Sequence, residues 1–582
     1  MADEIGKLAA RGQLGAGADA CVPLLAPLST LAMVEETVVR DKAVESACVV
    51  IRALDGALVA EHVVPAVQRL TTGDWFTGRV SACGLFAAAY SRLGASAAEN
   101  AEPKKLLRHL YGTLCGDDTP MVRRAASRHI GGLVAVVEKE FAVSELLPLF
   151  VQLAGDDPDS VRLLAIENCT AFARAFTQAE NAQHILPLVR SCAGDKSWRV
   201  RNNVAREFFP LSEAMGAEAT RGELLPLFVK LLQDPEGEVR ASAARNVAGY
   251  AQLVGFERFG SDILPAMREA VGGGAAGGAP GGDLAQSVRA ALAEGLVNVA
   301  AAVGSVASAG AAGAAGEALL HASVMPLILQ FLRDDSPEVK LRTLEGLPKV
   351  VGSVGARFLS ESVLPQLLLL GNDSLWRVRE KVIAQLPLLA EQLGAQVFEE
   401  RLLDLYLGTY GDQVNAVRMA ATRCLEPLAR VLGAAWVRTS IVPRLLELYH
   451  AKDSSYLQRI TVLYAVRNLS VRQQGLGAAA AAAAAAAAKA GAAPAAVSAA
   501  PVDLREVAED LLGVLLEAPK DPVPNVRFVS MQVLAEAVRS GAYDRATVAK
   551  NILPVVTACL AADSDTDVRF FAAEAERAIS GS

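Results

Sequence analysis

The run Leu146-Leu147-Pro148-Leu149-Phe150, followed by Asp156 and then Val161-Arg162, decides the fold because it comes back. Thirty-nine residues on, the same skeleton reads Ile185-Leu186-Pro187-Leu188-Val189, Asp195 and Val200-Arg201. An Asp followed five residues later by Val-Arg or Val-Lys occurs at Asp117, Asp156, Asp195, Asp234, Asp283, Asp334, Asp373, Asp412, Asp521 and Asp563. Asp453 with Arg459 is a degenerate copy. Pro148, Pro187, Pro226, Pro326 and Pro365 each stand eight residues before their Asp, and Val161, Leu164, Ala165, Cys169 and Phe172 then fall at helical spacing. One unit therefore reads as a first helix kinked at Pro, an Asp-bearing turn, a second helix and a short loop. Two helices of ~15 residues cannot bury their apolar faces alone, so units must stack. The expected class is all-α, an α-α superhelix running through residues 1–582 as one solenoid. The fixed Asp and Arg positions predict a ladder of hydrogen bonds between neighbouring units. Taken as exposed pairs worth ~0–1 kcal/mol each, the rungs set register more than stability.

Composition fits this reading. A chain of 582 residues would ordinarily form three or four domains, but 52% hydrophobic and only 5% aromatic residues suit many small helical units better than β-sandwiches. A net charge of -8 and a pI near 5.5 exclude a general nucleic-acid binder. Cys21, Cys48, Cys83, Cys115, Cys169, Cys192, Cys424 and Cys559 are spaced for neither a zinc knuckle nor a redox pair. They imply a reducing compartment, cytoplasmic or nuclear. The acidic Met1-Ala2-Asp3-Glu4 start lacks the basic region of a signal peptide, and the Asn-x-Ser/Thr triplets at Asn168, Asn372 and Asn468 are chance matches. Residues 295–316 carry no charge, but Leu296 is their only Leu, which argues against a membrane span. Gly- or Ala-rich insertions at 272–282, 305–316 and 475–501 break the period and carry no evident chemistry.

No constellation points to catalysis. The sequence has no phosphate-binding loop, zinc-protease motif or nucleophile elbow, and the six His fall at unrelated repeat positions. Asp563, Asp565, Asp567 and Glu574 imitate a calcium loop, but Val568 stands where such a loop needs Gly. No cofactor, metal or catalytic residue is expected. The aromatics are more telling: Trp198 and Trp376 sit two residues before Val-Arg, Trp75-Phe76 follow Asp74, and Tyr456-Leu457 follow Asp453 closely. Trp, Tyr and Arg are the usual interface anchors, so a protein-binding ridge along the turns is expected, against the plainer role of filling gaps between repeats.

The two-helix unit with its Asp and Val-Arg resembles the HEAT repeat. Val34-Glu-Glu-Thr-Val-Val-Arg-Asp-Lys-Ala-Val-Glu-Ser46, Gly73-Asp-Trp-Phe-Thr77, Ser81-Ala-Cys-Gly-Leu-Phe86, Asp117-Asp-Thr-Pro-Met-Val-Arg-Arg-Ala-Ala126, Asp195-Lys-Ser-Trp-Arg-Val-Arg201 and Asn525-Val-Arg-Phe528 are similar to strings of one HEAT family. That family is the 65 kDa scaffolding proteins of serine/threonine protein phosphatase 2A. The resemblance implies a non-catalytic, horseshoe-shaped scaffold whose turns hold a catalytic C subunit and an exchangeable regulatory B subunit. It implies regulatory-subunit contacts at Trp75, Phe76, Pro120, Met121, Arg123, Arg124, Trp198 and Arg199, within residues 20–254. It implies catalytic-subunit contacts at Trp376, Arg377, Arg379, Tyr456, Leu457, Arg459, Asn525 and Phe528, within residues 356–582, with middle repeats at 255–355 between them. Asn415 stands where the family pattern has an aromatic. Asp3-Glu-Ile-Gly-Lys-Leu8 resembles the last helix of the family's second repeat, so about thirteen and a half units and a truncated gene model or isoform are expected. A karyopherin-type transport receptor, another HEAT adaptor or a HEAT-like lyase are the alternatives; a long acidic loop of the first kind is absent.

Overall fold

The computed structural model describes residues 2–10, 18–94, 100–272, 286–306, 316–470 and 503–581, and these are helical, with no strand among them. They form two compact units, Met1–Gly295 and Leu296–Ser582. The three insertions lie almost wholly outside the described residues, as does Asp283. The helix Gln286–Val306 is long and apolar enough to cross a membrane by composition, but 67% of its most apolar window is buried within the protein.

Each unit is a stack of helical pairs. The pair Lys139–Ala154 and Asp159–Ala175 is representative, its faces closed by Phe150 stacked on Phe172 at 4.9 Å. Val161, Leu164, Ala165, Cys169 and Phe172 are all buried, as the spacing requires. So are the Val residues of the repeated Val-Arg, from Val122 to Val568, because the residue that follows each must lie along the turn. The eight thiols are unpaired, and all but Cys48 are buried.

The recurring proline does not simply kink its helix. Pro148, Pro187, Pro226, Pro326 and Pro365 each occupy the second position after a five-residue π turn, such as Ala142–Leu146 before Leu147-Pro148. Pro65, Pro265, Pro443 and Pro554 do the same. Proline has no N–H to donate and its ring crowds the carbonyl four residues back, so the preceding turn widens and the helix continues. Ten residues before these prolines the chain must turn into the helix. Asp55, Thr177 and Asp544 do so by accepting a backbone N–H on the side-chain oxygen. Gly216, Gly255, Gly355 and Gly433 do so with φ between 75° and 92°, which only glycine adopts freely.

The ladder exists and is tighter than a series of exposed pairs would be. Arg123 Nε and Nη2 donate to Asp156 at 2.6 and 3.0 Å, while Nη1 donates to the carbonyls of Asp117 and Asp118. The same fork joins Arg79 to Asp117, Arg162 to Asp195 and Arg201 to Asp234 in the first unit. In the second it joins Arg379 to Asp412, Arg459 to Asp521 and Arg527 to Asp563, with Lys340 on Asp373. Receiving Asp residues other than Asp156, which is followed by Pro158, also accept the N–H two residues on, as Asp195 does from Ser197 at 2.7 Å. The Arg162 and Asp195 side chains are only 7% and 12% exposed. Removing one member therefore strands a largely desolvated charge, a loss on the order of 2–4 kcal/mol, so the rungs contribute to stability as well as register.

Among the described residues one rung is replaced. Arg418 donates to Thr461 Oγ1 at 3.2 Å and to the Asp412 and Gln413 carbonyls, and Asp453 is exposed. Here Gln458 stands where other copies have Val, and it accepts from the Ser455 N–H while Ser455 Oγ accepts from the Gln458 N–H. This reciprocal cap replaces the Asp, which explains the degenerate copy.

A second ladder runs deeper. Asn168, Asn203 and Asn246 each donate a side-chain amide to a carbonyl of the preceding repeat, those of Ser127, Leu163 and Ala205, at 2.7 Å. Gln385 reaches Leu344, Asn468 reaches Thr422, and the Cys424 thiol reaches Ile383. Leu163 and Ile383 lie where their second helices break, so the neighbour's side chain satisfies a carbonyl that the helix has released.

A candidate protein-binding ridge

The ladder fixes what the turns can present. The second helices of these pairs begin three residues after their Asp, and the residue before that start has extended backbone, with ψ of 121° at Ser197 and 118° at Leu375. The first helical side chain is thereby thrown outward, and Phe76, Pro120, Trp198, Trp376, Tyr456 and Pro524 all occupy that first position.

In the first unit Trp75, Phe76, Pro120, Met121, Arg124, Trp198 and Arg199 are exposed. Arg199 lies with its guanidinium carbon 5.4 Å from the Trp198 ring centre and approaches Asp159 at 3.5 Å. In the second unit Tyr456, Leu457, Arg377 and Asn525 lie at the turns, Tyr456 and Leu457 exposed, and Trp376 and Phe528 are half-buried. Arg377 stands 4.7 Å over Trp376, a cation–π arrangement that holds a flat apolar and cationic surface ready. Phe528 stacks on Phe571 at 5.5 Å.

Three of the arginines belong elsewhere. Arg123, Arg379 and Arg459 spend Nε and Nη2 on the next repeat's Asp and Nη1 on their own turn's carbonyls. They position the ridge rather than face a partner. Phe570, 56% exposed, is a ridge residue that the aromatic pattern at the other turns does not pick out, although Val568-Arg569-Phe570 repeats Val526-Arg527-Phe528 and carries the same signal.

Nothing at the described turns resembles a catalytic or metal centre. Among the described residues no group of three His, Cys, Asp or Glu side chains is placed to hold a metal ion. Asp563, first residue of the calcium-like string, is taken by Arg527, whose hydrogen bonds hold its carboxyl below the ordinary value despite partial burial.

Residues 224–254 match the HEAT repeat family, and they span the later part of the first helix and the whole of the second of one such pair. The chain is a HEAT-repeat solenoid. Among curated proteins it is 45% identical over 150 residues to the protein phosphatase 2A scaffold subunit of Dictyostelium discoideum, covering 26% of this chain and 24% of that one. It is 46% identical over 142 residues to the Drosophila melanogaster phosphatase PP2A 65 kDa regulatory subunit, covering 24% and 22%. It is 47% identical over 138 residues to the beta isoform of the Homo sapiens phosphatase 2A 65 kDa regulatory subunit, again covering 24% and 22%. The matched stretch thus spans about a quarter of the length of these relatives. Among solved structures, Kap95p with RanGDP is similar at 12% identity and a TM-score of 0.49, covering 99% of this chain and 83% of that one. Importin beta is similar at 13% and 0.47, covering 96% and 72%.

Proposed function

We propose that this HEAT-repeat solenoid is the scaffold of a phosphatase 2A-type serine/threonine phosphatase. In this reading it is not itself an enzyme. Its second-unit turns hold a catalytic subunit and its first-unit turns an exchangeable regulatory subunit, in the cytoplasm and nucleus. The observation that carries the reading is the outward placement of Trp198-Arg199, Trp376-Arg377 and Tyr456-Leu457 at helix starts, held within each unit by its ladder. The identity to phosphatase scaffolds supports the choice of partner. Holding enzyme and targeting subunit on one body raises the local concentration of substrate at the active site without any chemistry of its own.

Affinity capture with purified phosphatase subunits tests it. Trp376→Ala combined with Tyr456→Ala is expected to weaken catalytic-subunit binding by ~100-fold while leaving the regulatory subunit bound, and Trp198→Ala to do the converse. Unchanged catalytic-subunit capture by the double variant would refute the assignment.

A further inference from the structure

The first-unit turns carry a feature that a generic ridge does not require. Met33, Val38, Trp75, Phe76 and Met121 are large apolar side chains left exposed, Trp75 at 75% and Val38 at 67%. They lie on three turns that are tied together. Thr77 Oγ1 donates to the Met33 carbonyl at 2.9 Å, and a Cβ added at Gly78 would meet the Met33 side chain at 3.4 Å. Arg79 links the same turn to Asp117 and Thr119. Scattered apolar side chains on a surface need no cause, but a connected set does.

The rim of this set is acidic. Glu35, Glu36, Asp74 and Asp118, on the same three turns, are exposed, and their carboxylates make no hydrogen bond or ion pair among the described residues. The neighbouring cations are already committed. Arg40 donates to the Val34 carbonyl and to Thr37, Lys42 pairs with Glu45, and Arg79 and Arg123 serve the ladder. Arg124 is left as the exposed cation on these turns among the described residues. Like charges gathered on these turns repel one another in the free protein, and a partner bringing the opposite sign relieves that repulsion while its apolar groups cover Trp75.

We propose that this patch is a docking site for a protein segment that presents apolar anchors flanked by lysine or arginine. It rests on the scaffold reading for the first-unit turns and refines it by giving the partner surface there a chemistry. Turns elsewhere mix the two signs, with Lys196 and Arg199 exposed near Trp198 and Lys452 exposed beside Asp453, so the uniformly acidic set lies on the turns around Trp75.

The test uses the full chain and two short fluorescein-labelled peptides of helical Leu/Lys and Leu/Glu pattern, read by anisotropy. The Leu/Lys peptide is expected to bind the wild type and to weaken ~tenfold on raising salt from about 0.05 to about 0.3 M. It should weaken ~tenfold with Asp74→Lys/Asp118→Lys and with Trp75→Ala, while the charge-reversed chain gains affinity for the Leu/Glu peptide. All three side chains are exposed, and circular dichroism checks that the variants fold. Equal binding by wild type and both variants would overturn the proposal, since the chain's general acidity would then account for it. A wild-type dimer in sedimentation that Trp75→Ala dissolves would also overturn it, by making a second copy the occupant. If the wild type captures no regulatory subunit whatever, the scaffold reading falls and the peptide result still decides the docking chemistry.

Discussion

From Arg79 to Asp234 the first unit closes four consecutive rungs, whereas the second unit closes Lys340 to Asp373 and Arg379 to Asp412 and then omits one before resuming at Arg459. The two series use the same turn, with Asp three residues ahead of the helix start. What differs is one side chain, Gln458 for Val, which caps the helix with Ser455 and makes the Asp redundant to its own turn. An Asp in this fold thus has two separable duties, accepting the N–H two residues on and receiving the previous Arg: Asp156 performs only the second, since Pro158 has no N–H, whereas at Asp453 Gln458 has taken the first and Arg418 bonds elsewhere.

The largest effect that would sharpen this comparison comes from removing one fork. Arg162→Met or Arg379→Met is expected to lower the local opening free energy of the adjoining repeats by about 3 kcal/mol, read by hydrogen exchange. Arg418→Met, whose head bonds the Thr461 hydroxyl, the Asn415 side-chain oxygen and two backbone carbonyls but no carboxylate, should cost about 1 kcal/mol. Equal losses at the three positions would break the distinction between closed and missing rungs. The deeper ladder should respond less than a fork, and Asn246→Ala is expected to cost about 1–2 kcal/mol by removing its bonds to the Ala205 and Arg206 carbonyls, the second of which faces Pro210 and has no helical N–H to pair with.

The smallest effect is in pH. The Arg527 guanidinium holds the Asp563 carboxyl below its ordinary value of 3.8. Below 3.8 the unfolded chain takes up a proton that the folded rung refuses, so this contribution is present above 3.8 and is lost as pH falls through the lower folded value. Melting temperature should therefore decline in acid more steeply for the wild type than for Arg527→Met, and parallel curves would remove the rung from acid stability.

Much of this is legible in the letters. The Asp-to-Arg rungs are written in recurring residue types at fixed offsets, so spacing alone exposes them, and the outward Trp residues at helix starts follow from their place beside Val-Arg. The deeper ladder is not legible because its donors change identity, from Asn168 to Gln385 to Cys424, while only their geometry is kept. The π turns are hidden for a different reason: a periodic proline signals disturbance, but whether the helix breaks or widens depends on the packing around it. Arg123, Arg379 and Arg459 look outward in the sequence because it does not reveal how many of a guanidinium's five donors are already engaged.

The fork from Arg459 to Asp521 closes at 2.7 Å across 62 positions of sequence, whereas that from Arg379 to Asp412 closes at 2.8 Å across 33. Neighbouring repeats therefore recognise each other by touch and keep no tally of the residues strung between them. The interval between Ser470 and Asp503 is accordingly a natural port, where a fluorescent reporter or a foreign binding module could be spliced in while both ladders stay closed.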